Sequence, residues 1–489
     1  MKQKRAWKGC LWAFVAAVTA VASACTTDAP EGPKKDASAP ETAAPRPSQP
    51  EGWDRDIALA SAKDENDADD VVEVSLRASI TNVSLGDGTT LPLWTYNGLV
   101  PGPVVRARQG QTLRVHLENA LPEATTIHHH GVRVPNAMDG TEMVQTAVPP
   151  GGTFTYSFSL PDEGTYWYHP HVHSSAQVGY GLYGPLVVDA KEPDGLPESL
   201  PIVLSDLSVD EQGKLADGAA DGAFGDFFGR EGKYVLTNGK VMPRVIMRKG
   251  LAQRWRIVNA SRARYFALAF PELVVHRLGG DGGRMSAPEP IRSYLLVPGE
   301  RLDLFVVATG NPGTETSVMR QSYDRFGTES GSGGTPLFRV AVSDDAPVPA
   351  ESPPAKLATI ETLSVEGKTP RMIELSEVPK GNPTAFGIDG KTGADIGVFH
   401  AKAGTRERWI VENATNMDHP FHLHGFFFQV LAMNGVPRTT REWKDTVNLR
   451  PHDRVEFIAD FDRRPGMWMF HCHILDHTDH GMMAMLHVE

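Results

Sequence analysis

Close to its C-terminus the chain reads His471-Cys472-His473-Ile474-Leu475-Asp476-His477-Thr478-Asp479-His480-Gly481-Met482. In an extended segment successive side chains point to opposite faces. Cys472 therefore faces one way, and His471 and His473 the other. One thiolate can serve a first metal site while its two neighbours serve a second. Adjacent Cα atoms are only ~3.8 Å apart, so a short covalent path would join the two sites. Electron transfer needs that wiring. Cys472, His477 and the later Met482 supply the soft ligand set of a blue copper centre.

Three further clusters extend the pattern: His128-His129-His130-Gly131, His169-Pro170-His171, and His419-Pro420-Phe421-His422-Leu423-His424-Gly425. Each holds a His-x-His pair, and on a strand such a pair presents both imidazoles to one face. With His471 and His473 there are four pairs and eight imidazoles, leaving His419, Cys472, His477 and Met482 as a second set. Imidazole suits copper, iron, nickel and zinc, and a thiolate with a thioether shifts the choice to copper. Structural zinc needs only four closed ligands, far fewer than these twelve.

From about residue 70 onward the chain resembles the multicopper oxidases, most nearly the bacterial laccase and copper-tolerance branch. The resemblance rests on these clusters and on Asn97-Gly98 followed by Pro101-Gly102-Pro103. It implies an all-β protein of three cupredoxin-like Greek-key β-sandwich domains with four copper ions. A type 1 copper would be held by His419, Cys472 and His477, with Met482 as a weak axial ligand. A type 2 copper would be held by His128 and His422. A type 3 pair would be held by His130, His169, His171, His424, His471 and His473. The activity implied is single-electron oxidation of phenols or aromatic amines at the type 1 copper, with Cys472, His471 and His473 carrying electrons to the three-copper cluster. Dioxygen is reduced there to two waters.

The resemblance also bears on proton supply. Asp139 matches an acidic position near the type 2 copper and would shuttle protons; the plainer reading is a surface turn in Met138-Asp139-Gly140. Thr478 stands where relatives often carry Glu, with Asp476 and Asp479 as possible substitutes. Asp445, in Trp443-Lys444-Asp445-Thr446-Val447, would hydrogen-bond a ligating imidazole or serve a turn. Asp418, beside His419, reads as an exposed carboxylate, with contact to a cationic or phenolic donor as the alternative, and His129 as a residue that faces away from its neighbours and either packs or supports a ligand. His173 and His480 read as surface histidines, and His116, His276, His400, His452 and His487 as isolated ones.

Competing activities are oxidation of Cu(I) or Fe(II), a non-catalytic scaffold of the cell envelope, and a copper nitrite reductase. The 15 methionines are dispersed, with no Met-rich insertion of the kind Cu(I) specialists often carry. The intact ligand set opposes a scaffold, and four paired clusters in one chain oppose a nitrite reductase.

A length of 489 residues suggests about three domains. The net charge of −12 argues against nucleic-acid binding. Lys2, Lys4, Arg5 and Lys8 precede an apolar run from Cys10 to Ala24, too short for a stable membrane span. Ala22-Ser23-Ala24-Cys25 resembles a lipoprotein cleavage site, so residues 1–25 read as a signal with Cys25 lipidated; plain signal cleavage nearby is the alternative. This implies export to a bacterial periplasm or cell envelope, with a membrane link only through Cys25, and a monomer acting on dioxygen and small donors. Cys472 is then left without a partner among three cysteines, itself a mark of a ligand.

Residues 26–68, rich in Pro, Ala, Ser and acids, read as a disordered linker. Beyond it, alternation in Val71–Leu76 and Leu113–Leu117, with turns such as Pro149-Pro150-Gly151-Gly152, marks short strands of a sandwich. A weak repeat matches Arg256-Ile257-Val258-Asn259-Ala260 with Trp409-Ile410-Val411-Glu412-Asn413, and Val297-Pro298-Gly299-Glu300-Arg301 with Val148–Gly152. Domains are expected at 69–190, 200–345 and 355–489. The middle one, without a His-x-His pair, reads as a spacer carrying a Gly/Ser-rich loop at Gly327–Gly334.

Overall fold

The computed structural model describes residues 46–326 and 334–489. The expected leader with Cys25, the first part of the expected linker and most of the Gly/Ser-rich stretch, residues 327–333, fall outside these residues.

Among the described residues the strands form six sheets, packed as three two-layer bodies. In the N-terminal body Val71–Ser84, Thr90–Tyr96, Thr112–Asn119 and Thr153–Ser159 make one sheet; Val105–Arg108, His128–His130, Gly164–His169 and Gly184–Asp189 make the other. Val72, Val74, Leu76 and Ala78 alternate inward along the first strand to meet the second sheet. The C-terminal body pairs a six-stranded sheet around Thr405–Asn413 and Arg454–Phe461 with a five-stranded sheet. The latter runs in the order Val398–Ala401, Met483–Val488, Gly466–Cys472, His419–Leu423, Thr446–Leu449.

The same two parallel pairings recur in every body. The opening strand runs parallel to a later one at Val72↔Leu113, Ile202↔Ile257 and Ile373↔Val411. The facing sheet repeats this at Val105↔Leu186, Val245↔Val340 and Phe399↔Leu486. A hairpin cannot make a parallel pair, so the chain must cross between the layers each time, as a Greek-key sandwich requires.

A buried asparagine fixes the same corner three times. Asn119, Asn259 and Asn413 each end a strand and accept the backbone N–H two residues on, at 2.9, 3.0 and 3.0 Å. Their amides donate to carbonyls that cross the corner, such as Val148, Leu296 and Leu449. Asn259 therefore matches Asn413, and Trp255 matches Trp409. The repeat windows read from the sequence were offset by one residue.

Two other expectations change. Residues 48–68 are not a tether. Ile57 is buried in the core of the middle body, Gln49 donates to the Ala252 carbonyl at 2.9 Å, and Ser61 bridges Val104. The apolar Trp53 and Ile57, set among polar residues, supply the burial that composition alone hid. Nor is the middle body only a spacer. Its strands Ala252–Asn259 and Arg301–Ala308 are buried throughout, which erases the alternation of a one-faced strand. Its helix Gly222–Phe228 and its residues Arg301 and Arg325 reach the C-terminal body.

Candidate metal centre

Strand pairing assembles the histidines. His419–Leu423 lies antiparallel to Gly466–Cys472, with Phe421 opposite Cys472 and His422 opposite His471. Phe421 and Cys472 face the core of the C-terminal body, while His422 and His471 face outward toward the N-terminal body. There His128 lies opposite His169 on the paired strands His128–His130 and Gly164–His169.

On the inner face, Cys472 Sγ lies 3.6 Å from His419 Nδ1 and 3.5 Å from His477 Nδ1. Each ring is steered by its far nitrogen. His419 Nε2 meets Thr415 Oγ1 at 2.9 Å, and His477 Nε2 donates to the Phe227 carbonyl at 2.9 Å. The ring of Phe386 packs on both imidazoles, and Phe227 stacks on Phe386 with centroids 4.4 Å apart. Met482 is buried in the same core, its carbonyl accepting from Cys472 N at 3.1 Å. Burial pushes the Cys472 thiol well above its ordinary range, so only a cation beside it makes the thiolate favourable at neutral pH.

On the other side, eight imidazoles face one another. His130, His169 and His473 form one triad, and His171, His424 and His471 another. His128 and His422 remain, gathered with His130 in a third group. Five rings are anchored through Nδ1. His128 meets the Asp139 carbonyl at 2.6 Å, His169 the Pro170 carbonyl at 2.9 Å, and His422 the Asp445 carbonyl at 3.0 Å. His424 meets Asp139 Oδ2 at 2.9 Å, and His471 the Cys472 carbonyl at 2.8 Å. Burial and neighbouring imidazoles hold His128, His169, His424 and His471 well below the ordinary histidine range, so these rings are neutral and able to ligate at pH 7.

The donor set fits metal ions. Nε2 of His128, His130, His169, His171, His422 and His473 is buried and lacks any hydrogen-bond partner. Each such atom costs roughly 1–3 kcal/mol if left unmet. So many converging in one buried cluster are accounted for by cations.

Asp139 is no surface-turn residue. It is 1% exposed, and its Oδ1 has no partner. Burial raises its carboxyl to about 8, and cations on the adjoining imidazoles would draw it back down. Gly140 allows the close fit, at φ +80° with Ile127 O 1.9 Å from where a Cβ would stand. Asp445 does contact His422, through its carbonyl, while its carboxylate takes both Arg301 NH groups. Burial pushes that carboxyl up, but the Arg301 guanidinium overrides it and holds it well below the usual range. Thr478 donates to the Cys472 carbonyl and lies 3.2 Å from His471 Nδ1. Asp476 and Asp479 engage Arg230, Ser174 and Ser175, which joins their helix to the other two bodies.

Asp418 is buried rather than exposed. It accepts from Tyr323 Oη and Asn448 Nδ2, both at 2.7 Å, and burial raises its carboxyl to about 6. His129 faces away and packs on Tyr156 and Phe158. His173 and His480 are largely exposed. His400 and His487 are not isolated: they are cross-strand partners with ring centroids 5.6 Å apart.

Arg301, Thr415 and Phe227 escaped the sequence reading. Arg301 stood in a quoted turn window with nothing to say which carboxylate it would meet. Thr415 follows the corner residue Asn413 by two, and its hydroxyl donates to Asn413 Oδ1 at 2.8 Å. That spacing, Asn-x-Thr before the histidine cluster, was a usable signal. Phe227 had none.

Two stretches, 77–193 and 364–489, match the multicopper oxidase family. The chain is 30% identical to the multicopper oxidase MmcO of Mycobacterium tuberculosis over 449 residues, covering 85% of this chain and 86% of that protein. It is 26% identical to a laccase of Bacillus subtilis, covering 81% and 90%. Among solved structures it resembles a multicopper oxidase from Campylobacter jejuni, described as a metallo-oxidase, with TM-score 0.79, 31% identity and coverage of 88% and 94%. With its fold, its soft and imidazole donor sets and these likenesses in agreement, the chain belongs to the multicopper oxidase family: it is a copper-dependent oxidoreductase that uses dioxygen and an electron donor.

Proposed function

We propose that the protein oxidises small aromatic donors, phenols and aromatic amines, one electron at a time, and reduces dioxygen to two waters with four copper ions. The observation that carries this is Cys472, which meets His419 and His477 on one face while His471 and His473 enter two separate triads on the other. His419, Cys472, His477 and Met482 would hold the type 1 ion. The two triads would hold the type 3 pair, and His128 with His422 the type 2 ion. Bound copper supplies the one-electron redox steps and the activation of dioxygen.

The protein groups do the rest. Cys472 links the sites through its own backbone, and the His471 Nδ1 hydrogen bond to its carbonyl gives a second, shorter bridge. Phe227 and Phe386 keep water from the two imidazoles at Cys472. Asp139 holds a proton at its unpaired Oδ1 between His128 and His424.

Aromatic donors are favoured by a cavity of about 500 Å³ beside the helix that steers His477. Phe224, Phe228, Tyr323 and Phe326 line it, and Arg325 on its wall is near enough to act on the charge of Cys472. The sequence of residues 1–25 supports export and attachment through Cys25, with the folded part acting as a monomer. The test is to load the protein with copper, record its visible and electron-paramagnetic spectra, and follow oxygen uptake with phenols, Cu(I) and Fe(II). Faster turnover of a metal ion than of any phenol would overturn the donor assignment; absence of a blue band would overturn the site.

A further inference from the structure

Met467 and Met469 on one strand and Met483 and Met485 on the next are brought together on the outward face of the five-stranded sheet in the C-terminal body. The register sets three rungs. His422 lies opposite His471, and His471 opposite Met483. The next rung places Met469 opposite Met485, and Met485 opposite Val398. The outermost places Met467 opposite His487, and His487 opposite His400. Burial confirms the face: Ala484, Leu486 and Val488 are buried in the core, whereas Met483, Met485 and His487 are only partly covered. Rungs two residues apart along a strand stand roughly 6.6 Å from one another. Directly opposed side chains have Cβ atoms about 4.5–5.5 Å apart, close enough to share one ion.

The outer rung is open to solvent, with His400 60% and His487 40% exposed. The Glu489 carboxylate lies 2.8 Å from His400 Nδ1 and 3.7 Å from His487 Nδ1. Backbone bonds to Ala401 and Ala403 hold Glu489 in place. Two imidazoles suit copper in either state, and the thioether of Met467 opposite His487 shifts the choice to the soft, monovalent ion. The rungs beneath offer only thioethers until His471, so a soft ion meets suitable donors at each step inward and a hard one does not.

We propose that this face binds a monovalent copper ion at His400, His487 and Met467, and that Met485 and Met469 form the way from there toward His471. The inference rests on the copper assignment of the buried cluster. Silver(I) is a redox-inert stand-in for Cu(I). Titrated into the copper-loaded protein, it is expected to bind one equivalent tightly, and His400→Gln/His487→Gln is expected to lose that equivalent while keeping its visible band. In a second arm, metal-free protein takes up Cu(I) under argon. Met469→Leu/Met485→Leu, which keeps side-chain volume, is expected to fill more slowly than the parent. Equal silver stoichiometry in parent and histidine variant, or equal filling rates in the second arm, overturns the proposal. A parent protein that shows no blue band after loading strikes at the oxidase reading instead, so the two failures are told apart.

Discussion

Arg301→Met tests how the two ends of the chain are locked around the histidines. Arg301 is fully buried and donates from Nη1 and Nη2 to the Asp445 carboxylate. It also donates to the carbonyls of Thr165 in the N-terminal body and of Asp281. Removing it strands the Asp445 carboxylate, while Asp281 keeps Lys444 Nζ at 3.0 Å. Breaking one buried pair costs about 3–5 kcal/mol, or roughly two to four powers of ten in the folded ratio. Urea unfolding of the metal-free chain, read by tryptophan fluorescence, should show that loss. Adding Asp445→Leu removes the stranded charge, and the double variant should recover much of it, because an apolar pair can replace a buried ionic one. The Asp445 carbonyl still holds His422 in the double variant, so copper content should recover too. A single-variant cost below about 1 kcal/mol, the scale of a solvent-screened pair, would refute the reasoning. So would a double variant no more stable than the single.

Other outcomes follow from the same geometry. Cys472→Ser should abolish the visible band and oxygen uptake and remove one copper by metal analysis, with the other three retained. Asp139→Ala should slow oxygen turnover severely while the visible band persists; full turnover would dismiss the carboxylate. Phe227→Ala should admit water to His477 and lower the redox potential measured by equilibrium titration, against an unchanged potential if the ring only packs. Asn413→Ala should cost about 2–3 kcal/mol by chemical unfolding, since it strands the Thr415 amide and the Met417 and Leu449 carbonyls.

Much of the site was legible because strand alternation acts over two residues. His-x-His and His-Cys-His spell out their own geometry, and the structure gathers those histidines into one buried cluster beside Cys472. The short strands of a sandwich followed from the same periodicity, and the three cupredoxin-like domains from the family resemblance. What sequence hid depends on contacts between distant segments. Asp418 looked exposed because nothing local foretells Tyr323 and Asn448 closing over it. The stretch 48–68 looked unstructured because two apolar residues, Trp53 and Ile57, dock it on a body more than a hundred residues away. His400 and His487 looked solitary because a parallel pairing between remote strands has no local signature.

The eight-imidazole pocket draws half its members from each end of the chain. On a ribosome, His128 and His130 emerge more than three hundred residues ahead of His471 and His473. A chain broken off between them carries only half of the imidazoles, so the cluster cannot close until both halves are made.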